Sequence, residues 1–233
     1  MACTLHDIGA LNDSAVCALV RGDIKEAYTT LERALYDFHH NLHEEEDDDE
    51  EEEDPPQDEE STDAGENSTD IRAVPLDPQL NSSDNVFAPE NAFQIYDNAF
   101  LLPLQCPNYY VTAVALIYNF ALVLQRKGIL EARHCLLRKS LKLYSMATSL
   151  LLDESLASRM TPSMKLLQLA TWTNQGFIYS YRLDYAQVVT CAKHVRDILQ
   201  EPVLLSPEDW IFFRRIIFYI EVFGLSKNLS PAA

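Results

Sequence analysis

Apolar residues recur at steps of three and four along most of this chain, and the pattern is densest across residues 109–152. There Val111, Val114, Ile117, Phe120, Ala121 and Leu124 fall on one face of a helix. Leu136, Leu137, Leu141, Tyr144, Met146, Ala147 and Leu150 repeat the pattern further on, so the stretch predicts two antiparallel helices turning near Gly128. Such a pair cannot cover its own apolar faces and needs similar units stacked on both sides.

The same period supplies those units. Residues 5–20 carry Leu5, Ile8, Leu11, Ala15, Ala18 and Leu19 on one face, and residues 24–42 carry Ile24, Ala27, Leu31, Ala34, Leu35 and Phe38. Between them, Gly22 suits the left-handed end of a helix and Asp23 can cap the next. Thr161 and Pro162 start another helix, Asp184 and Tyr185 mark its turn, and residues 186–199 return with Val188, Ala192 and Val195. A last helix is expected over 207–223, opened by Ser206-Pro207-Glu208-Asp209 and ended by Gly224. It is apolar nearly all round, where a terminal cap would keep a polar outer face. It is therefore expected to be covered by another element or to form a homodimer contact. The expected fold class is all-α, with antiparallel α-hairpins in a short α-solenoid.

Two stretches break the period. Residues 44–84 are acidic and rich in Ser, Thr and Pro, so they are expected to be a disordered linker that contributes nothing to stability. Residues 85–106 turn apolar without helical spacing and hold Phe87, Phe93, Ile95, Tyr96, Phe100, Leu101 and Leu102, with prolines at 89 and 103. The expected organisation is a first hairpin over 1–43, the linker over 44–84 and an extended apolar segment over 85–106. Two further hairpins with the last helix fill 107–224, and a tail covers 225–233.

The run from Leu11 to Ala34 resembles a tetratricopeptide repeat: Ala15 falls where the helices cross, Gly22 and Asp23 form the turn, and Ala27, Leu31 and Ala34 follow. A second copy holds Asn119, Ala121, Leu124 and Gly128, then Ser140, Tyr144 and Ala147. A third holds Trp172, Asn174, Gly176 and Tyr179. The chain is also similar to an uncharacterised family of short, degenerate tetratricopeptide-like proteins associated with algae, which implies no activity. The spacing departs from the repeat, since Trp172 follows its counterpart Ile117 by 55 residues, against about 34 in a regular array.

Charge changes the picture only locally. The net charge is −18, but residues 44–70 hold 17 of the 36 acidic side chains and no Lys or Arg, leaving 19 acidic against 18 basic elsewhere. Five cysteines without a CxxC pair point to reduced thiols in a cytoplasmic or nuclear protein. No secretory leader or membrane span is expected. Lys and Arg do not cluster outside 133–142, a solvated helix face, so nucleic acid is not an expected partner.

No phosphate-cradling loop, nucleophile elbow or HExxH motif is present, so no enzyme activity and no cofactor are expected. His39, His40 and His43 run into an acidic tract that supplies charge without fixed geometry, so no metal is expected. Cys135 beside His134 lacks an orienting third group.

The repeat resemblance implies that the first helix of each hairpin lines a concave protein-binding groove. It would expose Tyr118, Asn119, Leu122, Gln125 and Arg126 in the second unit and Thr173, Asn174, Phe177 and Tyr181 in the third. Asn119 and Asn174 could bond an extended backbone, or equally tie adjacent helices. Repeat domains that grip a chaperone's terminal carboxylate need Lys or Arg where this chain has Asn12, Val16, Ala170 and Asn174. The expected function is a protein-interaction adaptor or scaffold holding an extended or helical partner segment. The alternative is a chaperone for histones or other basic proteins that uses the acidic tract. The apolar segment 86–104 is itself expected to dock in the groove.

Overall fold

A computed structural model of the chain describes residues 4–46, 71–76, 93–103, 108–153, 160–219 and 221. Seven helices lie in these residues: α1 (Leu5–Val20), α2 (Ile24–Glu46), α3 (Tyr109–Leu130), α4 (His134–Leu151), α5 (Pro162–Tyr181), α6 (Tyr185–Gln200) and α7 (Pro207–Tyr219). Two short strands, β1 (Arg72–Pro75) and β2 (Asn98–Leu101), pair antiparallel, with Ala73 opposite Phe100. The fold is all-α apart from this ribbon. Helices pair as α1–α2, α3–α4 and α5–α6, and each pair joins the next through α2–α3, α4–α5 and α6–α7. Short connections force each pair antiparallel.

Local chemistry sets the helix ends. Thr4 and Asp7 form a reciprocal capping box at the start of α1. Asp23 accepts the Glu26 N–H at 2.9 Å to cap α2, and Thr161 caps α5 ahead of Pro162. Gly22, at φ 79°, takes the left-handed turn between α1 and α2. The turn expected near Gly128 follows it by a few residues: α3 runs on to Leu130, and Ala132 at φ 52° makes the turn. Gly128 instead lets α4 approach, since a Cβ there would lie 3.0 Å from Leu137.

α3 is the core helix. By length and composition it could cross a membrane, but 78% of its most apolar window is buried inside the fold. Ala115, Leu116, Tyr118, Ala121, Leu122 and Val123 are fully buried on several of its sides, against the neighbouring pairs and against β2. Met146, expected on the apolar face of α4, is exposed.

The linker expected over 44–84 is corrected at its C-terminal end. Ile71 and Leu76 are buried on either side of β1, because the ribbon turns their side chains into the helical core. The acidic run begins inside α2, which extends to Glu46 past the expected hairpin end at 43, and from residue 47 it lies outside the described residues, as does the expected tail 225–233.

Candidate protein-binding groove

α1, α3 and α5 are the first helices of their pairs, and each places an asparagine on one shared face: Asn12, Asn119 and Asn174, all fully buried. Across this face runs the extended segment 93–103. Asn119 Oδ1 accepts the Phe100 N–H at 2.9 Å while its Nδ2 donates to the Phe100 carbonyl at 2.7 Å. Asn174 treats Tyr96 the same way, accepting its N–H at 2.8 Å and donating to its carbonyl at 3.2 Å. The two grips fall four residues apart, an even step, so both meet backbone groups turned the same way in an extended chain.

Further contacts seat the segment along its length. Asn12 Nδ2 also donates to the Phe100 carbonyl at 3.0 Å, and the Asn12 Oδ1 accepts from Asn119 at 2.8 Å. Asp13 accepts the Leu102 N–H at 3.1 Å. Tyr118 donates toward the carbonyls of Tyr96 and Asn98. Arg126 forms a two-pronged ion pair with Asp97, its Nε 2.7 Å from Oδ1 and its Nη2 on Oδ2, with the guanidinium almost fully buried. The Tyr96 hydroxyl donates to Asp209 at the start of α7 at 2.7 Å, and its ring lies against Phe212 and Phe213. The segment therefore touches α1, α3, α5 and α7.

Side chains seal the same seam. Phe93, Ala99 and Phe100 are fully buried, with Tyr96 and Leu102 nearly so. Phe93 lies over Gly176, where a Cβ would meet its ring at 2.4 Å. Phe100 meets Tyr118 edge-on at 5.1 Å between centroids. Burying Phe93, Phe100 and Leu102 contributes roughly 5–9 kcal/mol in all.

Of the nine residues expected to line a groove, eight are buried: Tyr118, Asn119, Arg126 and Asn174 bond the segment itself, and Leu122, Gln125, Thr173 and Phe177 are buried within the fold. Their expected exposure is thus corrected: the fold buries all eight, four of them against the docked segment. Tyr181 alone stays partly exposed at the end of α5, its ring near His134. Gln125 turns away from the segment and accepts the Tyr144 hydroxyl at 2.8 Å. Asn174 Nδ2 also lies 3.1 Å from the Tyr118 and Tyr144 hydroxyls, so it ties neighbouring helices as well as gripping the segment. Burial raises the pKa of Tyr96, Tyr118 and Tyr144, keeping all three hydroxyls protonated as donors.

Three residues that hold the segment were not among the nine expected: Asn12, which the sequence offers only as an empty carboxylate-gripping position, Asp13 and Asp97. For Asn12 the signal was there, an asparagine on the first helix of the first pair as on the others. Asp97 carried none, since nothing local links it to Arg126 across 29 positions.

Among the described residues no group of three His, Cys, Asp or Glu could hold a metal ion. Cys191 is buried, which pushes its thiol up to about 12. No family model matches the chain, and neither the curated proteins nor the solved structures contain a match.

Proposed function

We propose that this protein is a non-enzymatic protein-interaction scaffold, built from degenerate tetratricopeptide-like hairpins, whose concave face holds extended polypeptide. One observation carries the reading: Asn119 and Asn174 each grip both the N–H and the C=O of one residue in an extended chain. Side-chain amides used this way recognise backbone, whatever sequence it bears, and the aromatic seats around them add the preference. In this chain the resident ligand is its own segment 93–103, at the high effective concentration that covalent attachment gives. A partner segment entering the same face has to replace Phe93, Tyr96, Asp97 and Phe100 with groups of like shape and charge.

The test vacates the face. Phe93, Tyr96 and Phe100 are changed to Ser in the full chain, and a labelled peptide of residues 93–103 is added in trans. The vacated chain, shown helical by circular dichroism, is expected to bind the peptide, and the intact chain to bind far less. Adding Asn119→Ala and Asn174→Ala should abolish capture. A folded, vacated chain that ignores the peptide sinks the proposal.

A second reading has its own observation, the 17 acidic side chains without one Lys or Arg over residues 44–70. A chaperone for histones or other basic proteins would use this charge, and its binding would fall steeply between low and high salt. Groove-driven binding would not.

A further inference from the structure

α7 stands where the first helix of a fourth pair would stand. It packs on α6, with Phe213 and Ile216 buried, as α3 packs on α2 and α5 on α4. In the earlier pairs a second helix then covers the first; α7 has no such helix among the described residues. Its outer side and α6 enclose an open groove of about 730 Å³ lined by Arg196, Trp210, Ile211, Arg214, Arg215 and Phe218. Ile211 is 59% exposed and Phe218 61%, so large apolar groups face outward rather than the polar surface of a terminal cap. Glu221 is the one acidic residue in the lining.

We propose that this groove docks an acidic amphipathic helix of a partner protein. Ile211, Arg214 or Arg215, and Phe218 recur at steps of three and four, which makes a stripe that a second helix can lie along. The occupant's apolar residues, at i, i+3 or i+4, and i+7, fill the seam over Trp210, Ile211 and Phe218. Arg196 has Asp197 beside it at 3.9 Å, but Arg214 and Arg215 still outnumber Glu221, and this excess of guanidinium selects an occupant with Glu or Asp flanking that stripe. Arg214, held over the Trp210 ring at 5.4 Å, is placed to meet one of them. The inference rests on reading the protein as an interaction scaffold, but it uses a surface apart from the asparagine-lined face.

The experiment uses the full chain and two labelled 18-residue helical peptides with the same Leu stripe, one flanked by Glu and the other by Lys. The Glu peptide is expected to bind, to weaken as salt rises, and to outbind the Lys peptide at least tenfold. Arg214→Glu with Arg215→Glu, and separately Ile211→Asp, should each weaken it at least tenfold with unchanged circular dichroism, since all three side chains are exposed. Asn119→Ala with Asn174→Ala should leave this binding in place, separating it from the other face. Equal binding of both peptides, or indifference to the α7 variants, overturns the proposal. So does a concentration-dependent dimer abolished by Ile211→Asp, which gives the groove to a second copy. Binding that appears only after removal of residues 222–233 overturns it in favour of the chain's own tail.

Discussion

Asp97 and Arg126 meet where the extended segment passes over α3, with the guanidinium 4% exposed and the carboxylate 15% exposed. Removing one member of so buried a pair leaves the other charge without compensation. Asp97→Ala is therefore expected to lower stability by about 3–5 kcal/mol, while Asp97→Ala with Arg126→Met should recover much of that loss. Urea unfolding of the single and double variants measures both. Asp13 shows the opposite electrostatics. Burial raises its carboxyl pKa, outweighing the hydrogen bonds from Leu102 and Asn12 that lower it. Its native pKa thus exceeds the unfolded value of 3.8, the folded state binds more protons in the window above 3.8, and stability falls as pH rises through it. Asp13→Asn keeps an acceptor for the Leu102 N–H without the charge, so the variant should match or exceed the parent's melting temperature at pH 7. That advantage should shrink as pH is lowered toward 3.8. Gly176→Ala tests the packing beneath Phe93. Alanine gains about 1 kcal/mol in helix propensity, but its Cβ has to displace a fully buried ring, for which overpacking costs about 1–3 kcal/mol. A net loss in chemical denaturation is expected, relieved when Phe93→Leu is added.

At the scale of elements, helices were legible because each carries its own period and caps. α1 could be read to the residue, from the period-four apolar face before Gly22. The docking of segment 93–103 was legible for a different reason: aromatic groups without helical spacing need a receptor, and two asparagines stood on matching helices. What stayed hidden depends on distant partners. β1 is four residues at the edge of a polar stretch, and its identity as a strand comes from pairing with residues 98–101. Gly128 reads as a turn until α4 is seen lying against it. Exposure of the groove residues was misread because the sequence offered a face and its ligand without the burial between them. The grips themselves can be tested as elements of that interface. Asn119→Ala and Asn174→Ala each leave a buried N–H and C=O less satisfied, costing about 1–3 kcal/mol. Limited proteolysis should then cut faster within residues 93–103 in either variant, and fastest in the double variant.

Over the whole molecule, the extended segment joins what the connections alone would leave loosely related, from Asn12 in α1 to Phe213 in α7. An array in which each pair touches only its neighbours has a stability built from local terms, and can fray from either end. A strand bonded to α1, α3 and α5 and stacked on α7 couples those terms, so unfolding should be more cooperative than in a simple stack. β1 extends the coupling to the end of the acidic insertion, and this separates two halves of that insertion by their effect. Residues 47–70 contain Pro55, Pro56 and Ala64 as their apolar side chains, so replacing them with a Gly-Ser linker of equal length removes charge and little apolar surface. The melting temperature should stay within about two degrees, since ordinary surface changes fall within about 0.5 kcal/mol. Extending the replacement to residue 76 removes Ile71 and Leu76 from the core and the ribbon partner of β2. Each buried aliphatic side chain is worth roughly 1.5–3 kcal/mol, so this second chain should melt clearly lower than the first. Differential scanning calorimetry of the two replacements decides it, and equal melting temperatures would show that β1 adds nothing to the fold.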